Sequence, residues 1–512
     1  MNNAKICVSV CAETADEMIE KIRRAEEHAD VIEVRFDCLA NGDFRSLFER
    51  LPETKKTYLF TFRPREQGGK RDLTLGERLK FWEHVFWARK DGFLVDLEFE
   101  PSLLSAVNPS NIDRIVSFHD FDGSPEHLNA RWEMMSEISG TTTKIAVQTG
   151  DITHAIAVWK LLDLAKARNK QIIPIAMGEA GRWTRILGPA HGAFMTYAAL
   201  DTGGETAPGQ ITAEDLIETF RVRHLDQETK VFGVIGDPVS QSLSTYMHNP
   251  AFVSRGINAV FIPFLVKDID AFMRRMVRPE TREVELNFGG FSVTMPHKQS
   301  IMRHLDAIDA TTEKIGAVNT VKIENGKLTG YNTDAYGFIT PLKAKFGDLA
   351  GSRVAVFGAG GAARACVYAL KQENARVTVF ARDEKKARAF AVEFGVDWKG
   401  ISNLKSQISN LVLSDFDILV DTTPLGMSGQ FEHDSLFTAE QLKGIKFVYD
   451  LVTKPYDTPI IREAKKAGIP AIGGLEMLVA QGAMQFEIWT GQNAPIEMMT
   501  ESVFARINKI QK

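Results

Sequence analysis

The first two hundred residues alternate between two hydrophobic rhythms. Short β-branched or aromatic runs occupy 5–10 (KICVSV), 30–36 (DVIEVRF), 57–63 (TYLFTFR), 93–99 (FLVDLEF), 114–120 (RIVSFHD), 143–149 (TKIAVQT), 171–177 (QIIPIAM) and 193–199 (AFMTYAA). Between them lie longer segments such as ADEMIEKIRRAEEHA and HAIAVWKLLDLAKARN, in which apolar residues recur at three and four and charges fill the other face. Short, largely apolar runs of this length specify strands, and the three-and-four spacing specifies amphipathic helices. Eight strand-then-helix units predict a (β/α)8 barrel within an α/β chain, with its chemistry at the C-terminal ends of the strands. Thr212, in the pattern T-A-E-D, opens a last helix that fades into RVRHLDQETK, so a boundary is expected near 226–229.

Past that boundary KVFGVIG begins a second α/β region. There SRVAVF runs into GAGGAARACVYALKQEN and on into ARVTVFAR, a strand–helix–strand unit. Gly358, Gly360 and Ala363, with Ala359, Gly361 and Ala362 between them, fit G-x-G-x-x-A at the strand-to-helix turn. Bare backbone there lets a pyrophosphate lie on the helix N-terminus. An acid at the end of the next strand would hold the 2'-hydroxyl of NAD; this chain has Arg382 instead, which favours the 2'-phosphate of NADP. Lys385 and Lys386 fit a solvated charged turn, and the helical segment LEMLVAQGAMQFEIW is closed by Gly491.

Composition narrows the function classes. The chain has 512 residues, 44% hydrophobic and 25% charged, which excludes disorder and fibrous structure. A net charge of -5 provides no global basic field for nucleic acid or an anionic membrane, so any anion site must be built locally. Four cysteines, at 7, 11, 38 and 366, are too few for a disulfide scaffold. Cys7 and Cys11 read as small buried hydrophobes rather than metal ligands. No apolar run approaches the roughly 18 residues of a membrane span, and no signal peptide is evident, so a reducing cytoplasm is expected.

The polar residues inside the predicted strands carry the chemistry. Glu33 and Arg35 interrupt DVIEVRF, Arg63 ends TYLFTFR, His119 ends RIVSFHD and Lys144 lies within TKIAV. If Lys144 points inward, burial lowers its pKa and suits it to attack a carbonyl; if it leans outward, it snorkels between helices. His119 ends the preceding strand, where an imidazole can stand beside the amine as a general acid and base.

The ordered motifs EVRFD, TFR, SFHDF, KIAVQT, GRWTRILG and TAPGQIT resemble type I 3-dehydroquinate dehydratase across residues 1–225. The resemblance implies a Schiff base on Lys144 with His119 as acid and base. It also implies substrate contacts from Ser9, Glu33, Arg35, Arg63, Thr206 and Gln210, and a carboxylate clamp at Arg185. One departure stands out: where many members have glutamate before Gly-Gly, TFRPREQGG has Gln67, with Glu66 one place earlier.

From about 230 onward GDPVSQSLS, VTMPHK, GAVNT, NTDAYG, GAGGAA, DTTPLGM and GGLEMLVAQGA resemble shikimate dehydrogenase. That resemblance implies Lys298 and Asp334 as the catalytic pair and Ser242, Ser244, Thr294, Asn319 and Gln481 as substrate ligands. It adds Gly474 to the cofactor residues, and NADP(H) as the cofactor. Thr453 stands where that family commonly has a substrate-contacting tyrosine.

The expected organisation is a barrel at 1–227, a substrate domain at 228–335, a Rossmann domain at 336–474 and a returning helical segment at 475–512. Its expected ligands are 3-dehydroquinate, 3-dehydroshikimate and shikimate, all small anions, with no metal, nucleic acid or membrane. Two alternatives remain open: a quinate or shikimate dehydrogenase working catabolically beside a weak barrel, and a metabolite-sensing regulator built from the same domains.

Overall fold

The computed structural model describes residues 2–40, 44–88, 92–107, 112–123, 127–240, 242–401 and 413–510. Contacts divide the chain into two compact units, Met1–Val231 with Pro238–Ser240 and Asn258–Phe288, and Phe232–Asp237 with Gln241–Ile257 and Gly289–Lys512.

The first unit holds β1 (Ile6–Val10), β2 (Val31–Arg35), β3 (Thr57–Thr61), β4 (Phe93–Glu98), β5 (Arg114–Asp120), β6 (Thr141–Gln148), β7 (Ile172–Met177), β8 (Thr196–Ala199) and β9 (Ile211–Thr212). They form one sheet in the order β7-β6-β5-β4-β3-β2-β1-β8-β9. Phe194 N donates to Ile172 O at 2.9 Å, which joins the β8 end of the eight-strand series to the start of β7 and curls the sheet into a barrel. The helix Ala15–Ala25 shows why the intervening segments pack outside. Thr14 caps it by accepting from Glu17 N, and its buried stripe is Met18, Ile19, Ile22 and Ala25.

Strand parity then decides which side chains face inward. Cys7, Val31, Leu59, Ile115, Ala146, Ile173 and Tyr197 form one buried cluster, with Leu94 packed against it. Successive side chains alternate faces, so residues two or four places away on the same strands, in either direction, share the interior. Those positions are Ser9, Glu33, Arg35, Thr61, Asp96, Glu98, Ser117, His119 and Lys144. Most of these polar positions lie toward the strand C-termini from the apolar ones, whereas Lys144, level with Ser117, comes two places before Ala146.

β10 (Lys230–Gly236) leads onward, and β11 (Ala259–Leu265) lies in the first unit. The second unit contains β12 (Phe288–Val293), β13 (Ala307–Ile308), β14 (Thr320–Glu324) and β15 (Lys327–Tyr331), in the order β10-β12-β14-β15-β13. It also contains β16 (Arg353–Phe357), β17 (Arg376–Ala381), β18 (Asp397–Gly400), β19 (Ile418–Asp421), β20 (Phe447–Asp450) and β21 (Ala471–Ile472). These are parallel in the order β18-β17-β16-β19-β20-β21, so the strand order reverses beside β16, where doubly wound sheets open a ligand crevice. The helix Gly474–Thr490 ends in Gly491 at φ 69°, whose N–H reaches Glu487 O. It returns onto β14: Gln485 Nε2 donates to Thr320 Oγ1 at 2.9 Å, and Trp489 Nε1 to Val321 O at 3.0 Å.

One expectation is corrected. Cys7 is buried and free, but Cys11 is not a simple buried hydrophobe: it is bonded to Cys38. β1 and β2 are adjacent and parallel, so the segments leaving their C-terminal ends emerge side by side, with Cα atoms of the two cysteines 5.5 Å apart. A pair 27 residues apart in sequence is close only because of that pairing.

Candidate active sites

All nine residues singled out in the barrel half line one cavity: Ser9, Glu33, Arg35, Arg63, His119, Lys144, Arg185, Thr206 and Gln210. Gln67, Phe121 and Tyr197 line it as well. Lys144 points inward. Its Nζ lies 3.0 Å from Asp96 Oδ2 and 3.9 Å from the centre of the Tyr197 ring. Arg63 Nη2 meets the same carboxylate oxygen at 2.7 Å, and Ser117 Oγ donates to the other at 2.5 Å. Arg63 Nη1 lies against both ring nitrogens of His119, 2.8 Å from Nδ1. Imidazole and amine therefore share a rim, but through Arg63 and Asp96 rather than by direct contact.

These neighbours set the protonation states. Burial pushes the Lys144 ammonium below its ordinary value; Asp96 opposes this and Arg63 adds to it. Burial would raise the Asp96 carboxyl, but Arg63, Lys144 and Ser117 bring it down to about 2. His119 is held well below its usual range by burial and then by Arg63, Lys144 and Arg35. A guanidinium can only donate, so an imidazole nitrogen facing it must carry a lone pair. The ring is thus a neutral base at physiological pH.

Around this centre are groups for binding hydroxyls and a carboxylate. Glu33 accepts from Ser9 Oγ at 2.5 Å and Thr61 Oγ1 at 2.9 Å. Gln210 Oε1 accepts from Thr206 N at 2.7 Å, holding the TAPGQ loop closed. Gly209 in that loop has φ +75°, and a Cβ there would lie 2.2 Å from Gly178 O, so only glycine fits. Arg185 is 2% exposed and, among the described residues, makes only long contacts of 3.5 and 3.4 Å to the Tyr197 and Pro208 carbonyls and has no acid among its partners. Burial, and then the Arg182 charge, drops it to about 10. A buried guanidinium without an anion, lining a cavity, is a ready carboxylate site.

Sequence reasoning passed over Asp96 and Asp37. Asp96 breaks the apolar run FLVDLEF as Lys144 breaks its own, and strand parity was the signal that could have placed it inside. Asp37 pairs with Arg35 through both oxygens, at 2.9 and 2.8 Å, and also accepts from Lys70 N at 3.0 Å. It holds Arg35 in place and fastens the loop after β3.

In the second unit, Lys298 Nζ meets Asp334 Oδ2 at 2.5 Å. Asn319 Nδ2 donates to Asp334 Oδ1 at 2.8 Å and to Gln481 Oε1 at 3.3 Å, so these four residues form one network. The turn that bears Lys298 follows a cis Met295–Pro296 bond. Ser242 Oγ accepts from Ser244 N at 3.3 Å at the start of the helix Ser244–Ser254. Thr294 packs against Gly236, and no hydrogen bond joins it to the Lys298 network among the described residues.

A cavity beside β16 is lined by Gly358, Ala359, Gly360, Arg382, Asp383, Lys386, Thr422 and Leu425, among others. Gly358 has φ +117°, and a Cβ there would lie 2.2 Å from Thr422 Oγ1, whereas Gly360 faces open space. The helix Gly361–Gln372 begins there with no side chain capping it, leaving its N–H groups for an anion. The site therefore fits a dinucleotide, with Arg382 and Lys386 on the wall where a 2'-phosphate would sit. Lys386 is on that wall rather than in a merely solvated turn. Gly361 lies against Lys298 Cδ, Ala362 is partly buried, and Ala363 belongs to the domain core. Gly474 is pressed against Leu451 O; none of these four lines the cavity.

Two separate sites are thus present: an anion-binding barrel cavity around a buried amine, and a lysine–aspartate pair next to a dinucleotide cradle. Together they define a two-headed enzyme that joins carbonyl–amine chemistry to hydride transfer. Residues 6–227 match the family model for type I 3-dehydroquinase, 234–321 that for the shikimate dehydrogenase substrate binding domain and 341–424 that for shikimate / quinate 5-dehydrogenase. The shikimate 5'-dehydrogenase C-terminal domain model matches 474–504. The chain is 32% identical to the chloroplastic bifunctional 3-dehydroquinate dehydratase/shikimate dehydrogenase of Arabidopsis thaliana, over 97% of this chain and 84% of that protein. Its second half is 40% identical to the shikimate dehydrogenase (NADP(+)) of Methanopyrus kandleri, over 55% of this chain and 98% of that protein. A shikimate dehydrogenase solved in complex with NADP+ is 36% identical, over 55% of this chain and 97% of that one, with a TM-score of 0.49. The chain belongs to the bifunctional 3-dehydroquinate dehydratase/shikimate dehydrogenase family.

Proposed function

We propose that this chain performs two consecutive reactions: dehydration of 3-dehydroquinate to 3-dehydroshikimate in the barrel, and NADPH-dependent reduction of that product to shikimate in the second half. The observation that carries the reading is the buried Lys144 amine facing a neutral His119 in a cavity whose Arg185 has no anion of its own.

In the barrel, the substrate carboxylate takes the Arg185 guanidinium. Neutral Lys144 adds to the ketone carbon, and loss of water forms an iminium. The iminium accepts the electron pair released as His119 removes a proton from the adjacent carbon. His119 then returns that proton to the β-hydroxyl, which leaves as water, and hydrolysis of the imine frees the product. Asp96 spreads its charge over Lys144 and Arg63, which keeps the amine aligned as its charge changes.

In the second half, Gly358, Ala359, Gly360, Arg382 and Lys386 would hold the dinucleotide, which supplies the hydride when bound. Lys298 delivers the proton to the carbonyl oxygen, with Asp334 and Asn319 fixing its position, and Gln481 is set to contact the substrate. Ser242, Ser244 and Thr294 are assigned to the polyol and carboxylate. The working partition remains barrel 1–227, substrate domain 228–335, Rossmann domain 336–474 and returning segment 475–512. The cytoplasm is the proposed location, resting on the low cysteine count, with the Cys11–Cys38 bond as the one observation against a reducing compartment; among the described residues no helix is long and apolar enough to cross a membrane.

Replacing Lys144 with Ala is expected to abolish dehydration and leave dehydroshikimate reduction intact, and Lys298→Ala to do the reverse. Loss of both activities from either change in a folded protein would contradict two independent sites.

A further inference from the structure

Gln67 lies in the turn Arg65–Gln67, beyond the end of β3, yet its side chain reaches the base. Gln67 Oε1 accepts the backbone N–H of His119 at 3.1 Å. β4 gives out near Glu98, whose register partner is Ser117, so the N–H of His119 lies past the end of that ladder and the Gln67 amide takes the place of the missing strand. The turn is itself fastened. Gly68 O accepts from Arg35 Nη2 at 3.3 Å, Lys70 N donates to Asp37, and a Cβ on Gly69 would lie 1.9 Å from Arg63 O. Gln67 also lines the cavity.

The charged groups facing His119 come from every neighbouring element. β3 leads to Arg63, which contacts both ring nitrogens; β6 supplies Lys144 and β2 supplies Arg35, while Glu33 of β2 lines the same cavity. The nearest acid on β4, Asp96, is occupied by Arg63 and Lys144, and Glu98 pairs with Arg78. On its own strand, Asp120 accepts from Asp122 N and Gly123 N in the following turn. No carboxylate is hydrogen-bonded to the imidazole among the described residues, and the one side chain that holds its backbone is an uncharged amide.

Resting on the dehydration reading above, we propose that Gln67 is a positioning residue: it sets His119 through the backbone while placing no negative charge beside the imidazole. An acid at position 67 could make the same hydrogen bond but would stabilise the imidazolium against Arg63, Lys144 and Arg35. The amide therefore separates orientation from charge.

The test uses the full chain and three variants, Gln67→Glu, Gln67→Ala and Gln67→Asn, with kcat/KM for 3-dehydroquinate measured from pH 4.5 to 9. The NADP-linked oxidation of shikimate by the same samples serves as the folding control. Gln67→Glu is expected to keep kcat within about threefold at pH 8 and to move the acid limb of the profile up by about one pH unit, the usual scale of an adjacent charge. Gln67→Ala is expected to lose about tenfold in kcat with an unmoved acid limb, and Gln67→Asn, too short to reach, to behave like Ala. An unmoved limb in Gln67→Glu, or full activity in Gln67→Ala, overturns the proposal. Absence of dehydration in the unsubstituted protein would instead overturn the functional reading beneath it.

Discussion

Replacing Asp96 with Asn tests the electrostatics of the barrel most sharply, because it changes a charge without changing shape. The carboxylate is fully buried and holds Arg63 at 2.7 Å, Lys144 at 3.0 Å and Ser117 at 2.5 Å. Its folded value of about 2, against an ordinary 3.8, is a depression of nearly 2 units, or about 2.5 kcal/mol of stability at roughly 1.4 kcal/mol per unit. A depressed acid contributes that stability above its unfolded value, near pH 4, and loses it as pH falls through about 2. The amide also leaves Lys144 and Arg63 buried without a counter-charge, and breaking a buried pair on one side costs about 3–5 kcal/mol. Asp96→Asn is therefore expected to lower the unfolding free energy by about 3 kcal/mol at pH 7, with the difference shrinking below pH 4. Urea titration followed by tryptophan fluorescence reports this unit well, since Trp82, Trp87, Trp132, Trp159 and Trp183 lie in it and only Trp398 and Trp489 lie elsewhere. Dehydration should slow by about a hundredfold as the amine loses alignment, while shikimate oxidation is unchanged. An unchanged urea midpoint with an unchanged dehydration rate would refute the role given to Asp96.

Further outcomes follow from the same geometry. Arg185→Ala should raise KM for 3-dehydroquinate by roughly 10- to 100-fold, the scale of a charge-assisted hydrogen bond, without lowering the melting temperature, because the lost guanidinium had no anion; a fall in melting temperature with unchanged KM would contradict it. Asp421 and Asp450 are register partners on β19 and β20. Burial and then Asp450 push Asp421 well up, and burial lifts Asp450 to about 6. A raised acid favours the folded state below its unfolded pKa and costs stability as pH rises through the folded one, so Asp421→Asn should raise the melting temperature at pH 8 and not at pH 4. Equal gains at both pH values would contradict this. Thiol titration of the unreduced, denatured chain should find two free thiols, Cys7 and Cys366, and four after reduction; four without reductant would remove the Cys11–Cys38 bond from the account.

The barrel was legible because each of its eight strands is a short apolar run whose position in the chain alone dictates a parallel neighbour. Lys144, His119 and Arg63 could be found because a charged residue in such a run is costly and stands out. Asp96 obeys the same rule and was missed since FLVDLEF matched no motif that drew attention to it. Its partners Arg63 and Lys144 are 33 and 48 residues away in sequence, and only barrel closure unites them. Cys11 and Cys38 were opaque for a related reason: their distance depends on how β1 and β2 pair, which no local pattern states. In the second half, the glycine turn at 358–361 announced its cradle directly, whereas Gly474 and Ala363, named with the cofactor residues, serve backbone packing against Leu451 and the core.

The central claim is that one chain carries out both reactions in order. Supplying 3-dehydroquinate with NADPH to the purified protein and following products by mass tests it in a single vessel. The account predicts shikimate in an amount equal to the NADPH consumed, with 3-dehydroshikimate as a transient. Accumulation of 3-dehydroshikimate with NADPH untouched, or no conversion of 3-dehydroquinate at all, would contradict it.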